Sequence, residues 1–252
     1  ATTEYMRQQY EESRQAILAA DGDCVAMLQR GELPVNADNL LAAHSLAQEG
    51  RKFFGVSGKR AGSNSVIPRE QVEDGEKSSL EKSLLPETMV EEAAKLWESM
   101  DSGEEFRESY GEMLEKALAA VEAATFETAE TTLDVRQMQL VHKQLTVASA
   151  VAPTEEYFVP MYIGEEIAGV HLTLDRTGVE KGTVSISVAM PEGENLRAKF
   201  YLEKGVLQGI FTGETENEVM KLEKIADTFR KEAENSWEVE SIQVMQAGRG
   251  AA

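Results

Sequence analysis

The sequence predicts an α+β protein: a helical amino-terminal region followed by a small mixed sheet domain with one packed amphipathic helix. Three observations carry this. Apolar residues recur three or four apart through most of the first 150 positions, the mark of helices with one buried face. Past Pro153 the apolar period changes to two, the mark of strands with one buried face. Finally, Thr215-Glu216-Asn217-Glu218 opens a last apolar stripe with the chemistry of a helix start.

In chain order, residues 5 to 30 read as helix, with Tyr10, Ile17, Val25 and Leu28 at helical spacing and a turn at Asp21-Gly22-Asp23. Those acids do not make a calcium loop, because an apolar run stands where the further oxygen ligands belong. Cys24 is the one cysteine, excludes an internal disulfide, and sits in Cys24-Val25-Ala26-Met27-Leu28, where a buried thiol is expected. Gly31 to Asn36 break the helix, and Asn36 is the expected N-cap of a second one carrying Leu40, Leu41, His44 and Leu46 on its apolar side. Residues 55–79 are rich in Gly, Ser and charge and read as a linker. Three apolar stripes follow: Val90, Ala93, Trp97 and Met100; Phe106, Tyr110, Met113, Ala117 and Val121; Val135, Met138, Val141, Leu145 and Ala148. They predict helices that bury one face against each other.

Pro153 closes the helical part. Tyr157 to Ile163 is strand-like, and Pro160 marks it as an edge strand, a first route to a partner by strand pairing. Val170, Leu172 and Leu174 alternate with His171, Thr173 and Asp175, which puts His171 on the polar, solvated side. Val184, Ile186 and Val188 alternate with Thr183, Ser185 and Ser187; Leu196, Ala198, Phe200 and Leu202 alternate with Arg197, Lys199 and Tyr201. Lys204-Gly205 turns the chain into Val206 to Phe211. The capping box starts the helix of Val219, Leu222, Ile225, Ala226, Phe229 and Ala233, and Trp237 to Val244 form a last strand with a bulge expected near Ser241. The expected division is 1–54 helical segment, 55–79 flexible linker, 80–152 helical bundle and 154–246 sheet-plus-helix domain.

The chain has 252 residues, 45 acids against 25 bases, and a formal charge of −20. That balance repels phosphate backbones and anionic lipid surfaces, so nucleic acid is not expected, and no stretch is apolar over the length needed to span a bilayer, so membrane insertion is not expected. The first residues lack both a secretory signal pattern and an initiator Met, so a processed chain is expected. Three histidines and one cysteine do not build a zinc site, no Gly-x-Ser-x-Gly elbow occurs, and Gly55 to Arg60 lacks phosphate-loop spacing. No catalytic residue, cofactor or metal is expected. The exposed row Arg197, Lys199 and Tyr201 is the expected protein contact.

From the strand Val184 to Met190, through Pro191-Glu192-Gly193-Glu194-Asn195-Leu196, the strands Arg197–Leu202 and Val206–Phe211, the helix Val219–Phe229 and the strand Trp237–Val244, the chain resembles the carboxy-terminal domain of the flagellar hook-length control protein family. The likeness lies in element order and alternation over about a third of the chain. Asn195-Leu196-Arg197 stands where that family has a Leu-Gly pair, and a helical region replaces its Pro- and Gln-rich amino-terminal part. The resemblance implies a cytoplasmic protein, or one exported through the flagellar apparatus. It would be a non-enzymatic binding regulator that engages a flagellar export-gate component and acts in substrate-specificity switching of type III export. Two alternatives stand beside it: a structural or scaffold protein with no export role, and an enzyme with a carboxylate site assembled in space.

Overall fold

The computed structural model describes residues 22–47, 54, 87–98, 103–127, 132–163, 166–178, 180–189 and 195–247. The expected linker 55–79 and the first part of the expected helix 5–30 lie outside them. Among the described residues five helices precede the sheet: α1 (Gly22–Arg30), α2 (Ala37–Ala47), α3 (Glu87–Glu98), α4 (Gly103–Glu127) and α5 (Thr132–Val151). Six strands follow, β1 (Glu156–Ile163), β2 (Glu166–Gly178), β3 (Lys181–Ala189), β4 (Asn195–Glu203), β5 (Val206–Gly213) and β6 (Glu238–Gln246), with α6 (Glu216–Ala233) between the last two. The α+β class stands as the sequence predicts.

Local chemistry sets the element ends. Glu32 takes a positive φ of 53°, and the amides of Leu33 and Glu32 close on the carbonyls of Leu28 and Gln29, a Schellman ending for α1. Asn36 Oδ1 accepts from the Asn39 amide at 3.0 Å, the expected cap of α2. Pro153 falls in a short 3-10 turn after α5, and Glu155 (φ 61°) reverses the chain into β1. Lys204 and Gly205, with φ 52° and 81°, place two left-handed residues between Glu203 and Val206, the requirement of a type I′ hairpin. The capping box of α6 forms in both directions: Thr215 Oγ1 accepts from the Glu218 amide at 3.2 Å and Glu218 Oε2 from the Thr215 amide at 3.0 Å.

The sheet runs β1-β2-β3-β4-β5-β6 in chain order. Each neighbouring pair is antiparallel except β5–β6, which α6 makes parallel. The register shifts where Leu207 and Gln208 face Val239 and Ser241, so Glu240 is the extra residue of the expected bulge.

One face of this sheet carries two separate apolar covers. Over β1–β3, Tyr157, Val159 and Leu172 join the helical core of Leu28, Leu46, Val90, Tyr110, Leu145 and their neighbours in one continuous cluster, with Leu174, Val184 and Ile186 at its margin. Tyr157 meets the edges of Phe106 and Tyr110 at 5.0 and 5.1 Å. Over β4–β6, α6 buries Leu222 and Ala226 against Phe211 and Ile242, flanked by Phe200 and Phe229. Gly209 is small because a Cβ there would stand 2.7 Å from Ile242 Cδ1 and 3.0 Å from Phe200 Cδ1.

The helical part therefore shares its core with the first strands; burial does not stop at Pro153. The predicted stripe of α4 is buried at all five positions, and four of the five on α5 are buried, with Val135 half-buried. Leu96, Leu114, Val147 and Val151 also enter this core. Cys24 is fully buried, as its apolar surroundings predict.

Candidate protein-binding surface

Residues opposite each other across a ladder point to the same face. The register therefore lays out the second face of the sheet as three rows. His171, Ser187, Arg197, Thr212 and Met245 form the first; Thr173, Ser185, Lys199, Ile210 and Gln243 the second; Asp175, Thr183, Tyr201, Gln208 and Ser241 the third. Arg197, Lys199 and Tyr201 stand together on β4 and are exposed, Tyr201 at 38%. Arg197 reaches Glu214 at 3.3 Å, and the Lys199 ammonium lies 5.1 Å from the centre of the Tyr201 ring. The β3 residues beside them are short and half-buried, so the long side chains of β4 form a step above a floor of hydroxyls.

Sequence reading places Thr183, Ser185 and Ser187 on the polar side of their strand but not beside these cations. The signal that does so is register. The β3–β4 ladder pairs Thr183 with Tyr201, Ser185 with Lys199 and Ser187 with Arg197.

The first strand corrects an expectation. Pro160 does lie in a strand at the end of the sheet, yet Glu156 to Pro160 are all buried. The Tyr110 hydroxyl accepts from the Phe158 amide at 3.0 Å and donates to the Phe158 carbonyl at 3.1 Å, satisfying both backbone groups from α4. Helices cover this margin, and strand pairing through β1 is closed. Burial pushes the Tyr110 phenol well above its ordinary value, against the opposing backbone hydrogen bond, so the group stays neutral.

His171 also departs from its solvated expectation. Its imidazole stacks on Phe158 at 4.4 Å, and Nε2 lies 3.0 Å from Glu156 Oε1. The other Glu156 oxygen accepts from Arg30 Nη2 at 2.6 Å and Nε at 3.2 Å. Burial alone would raise the Glu156 carboxyl; hydrogen bonds to His171 and Arg30, with their charges, hold it below the usual carboxylate range. Its neighbour Glu155 bridges Arg176, at 3.0 Å, and Arg107, at 3.7 Å. Two consecutive glutamates thus tie α1, α4 and β2 to the start of the sheet.

Around these pairs opens a cleft of about 450 Å³, lined by Arg30, Thr154, Glu155, Glu156, Thr173 and Asp175 among others. It is where acids gather in space, and two of its three carboxylates, Glu155 and Glu156, already hold two partners each. No group of His, Cys, Asp and Glu suited to a metal ion occurs among the described residues, and no helix among them is long and apolar enough to cross a membrane.

Comparison with protein families, with curated proteins and with solved structures finds no match to this chain.

Proposed function

We propose that this chain is a non-enzymatic protein-binding regulator that resembles flagellar hook-length control proteins and acts in substrate-specificity switching of flagellar type III export. The observation that carries the binding reading is the sheet face over β3–β6 that no element among the described residues covers: the opposite face is covered twice over, while Arg197, Lys199 and Tyr201 project from this one. A laterally hydrogen-bonded surface with an aromatic and two cations suits macromolecular contact. The export reading draws support from element order. The strands β3, β4 and β5, a polar step into α6 and a last strand β6 follow the order on which the family resemblance rests. On this reading the protein works in the cytoplasm, and its partner is a component of the export gate.

The test is capture of the purified soluble part of the gate's switch component by the full chain, repeated with Arg197→Glu and Lys199→Glu together. Capture by the parent chain and its loss in the variant are expected, along with misregulated hook length when residues 154–252 are deleted. Normal hooks after that deletion would sink the export reading. Capture untouched by the double change would move the contact off this face.

A further inference from the structure

The composition of the bare face runs against that of the chain. Acids outnumber bases 45 to 25 in the whole sequence, yet the three rows across β2–β6 hold one acid, Asp175, against Arg197 and Lys199. The cations stand mid-sheet, on β4, with hydroxyl residues on β3 and mainly uncharged residues on β5 and β6 beside them. The nearby acids sit at the rim, where Glu214 holds Arg197, Glu203 holds Lys181 and Glu240 takes Gln208. Lys199 has no carboxylate partner among the described residues; its contact is the Tyr201 ring. An ammonium over an aromatic ring, beside hydroxyls that both donate and accept, is a receptor for a carboxylate carried on a polar backbone.

We propose that the partner presents an acidic, extended protein segment that lies along β3, over Thr183 and Ser185, with a carboxylate on Lys199 and its flank against Arg197 and Tyr201. This rests on the protein-binding reading and names the chemistry of the partner at that same face. Charge complementarity selects the occupant at contact: Lys199 offers its ammonium to a carboxylate within a patch whose one acid is Asp175, and this short-range attraction acts against the net negative charge of the chain.

The experiment titrates the full chain into three dye-labelled peptides of equal length, alternating Val with Glu, Gln or Lys, and reads fluorescence anisotropy at low and high salt. The Glu peptide is expected to bind, to weaken with salt, and to lose on the order of tenfold in affinity with Lys199→Glu. Lys231→Glu, the same charge change on exposed α6, is expected to have little effect. Unchanged thermal unfolding of both variants keeps the reading on binding. Equal binding of the Gln peptide, equal loss with Lys231→Glu, or no binding of the Glu peptide overturns the acidic-segment assignment. If the Glu peptide fails while the gate component is still captured through this face, that assignment falls and the protein-binding reading stands. If both fail, both fall.

Discussion

The two ends of the sheet obey different rules. At β1, Glu156, Tyr157, Phe158, Val159 and Pro160 are buried without a break. At β4, exposure alternates residue by residue over the eight positions from Leu196 to Glu203. Both are strands of the same sheet, so the difference is in what surrounds them. Helices wrap β1 on its margin and both sides, whereas β4 has α6 and its apolar neighbours on one side and nothing on the other among the described residues. A period of two thus reports how many faces are covered rather than whether a strand exists. It also separates two uses of charge. At β1, Arg30, His171, Arg107 and Arg176 are spent on Glu155 and Glu156, holding the molecule together. At β4, Lys199 is left to meet something else.

The contrast can be broken most strongly at Tyr110. Replacing it with Phe keeps the ring but removes the hydroxyl's hydrogen bonds to the buried amide and carbonyl of Phe158. We expect a loss of about 3 kcal/mol, read as a lower urea midpoint. Retention of full stability would mean that water reaches the β1 margin and that the strand is less enclosed than its burial indicates.

Glu156→Gln comes next, at about 2 kcal/mol near neutral pH. That is less than for a fully enclosed pair, because Arg30 is half exposed and recovers hydration. Because the folded carboxyl of Glu156 is held below its unfolded value, its contribution is present above the ordinary carboxylate range and disappears as pH falls through the lowered folded pKa. The parent chain should therefore lose stability in acid more steeply than the Gln variant; parallel acid limbs would remove Glu156 from that role.

At the other end, Thr215→Ala should cost about 1 kcal/mol by opening the capping box of α6. The smallest effect sharpens the comparison: Arg197→Ala and Lys199→Ala should change stability by less than about 0.5 kcal/mol each. A larger loss would place these side chains in the fold rather than on a surface kept for binding.

Legibility in the sequence follows the same division. The β3, β4 and β5 pattern, the I′ turn, the capping box, the bulge and the Asn36 cap are all local, encoded within a few residues of where they act, and each is found where the sequence predicts it. The clamp is not local. Arg30 and Glu156 lie 126 positions apart, and Gln144 reaches across 90 positions to accept from the amide of Phe54. No spacing rule brings such residues together. His171 is misplaced by pattern for the same reason: alternation assigns it correctly to the polar face, but not to the part of that face where Phe158 and Glu156 enclose it. The Arg197, Lys199 and Tyr201 row is legible as an exposed set, while its neighbours across the sheet needed the register.

A sheet whose first margin is stoppered by a phenol can add strands in one direction only. Among the described residues that leaves β6, where Arg230 donates to the Ile242 carbonyl, as the margin for strand exchange or domain-to-domain joining, and two copies meeting there would present β1 margins at both outer ends. Growth would stop at a pair, because a fibre needs every unit to offer two open sides. The Tyr110 hydroxyl thereby limits how large an unintended aggregate of native molecules can become.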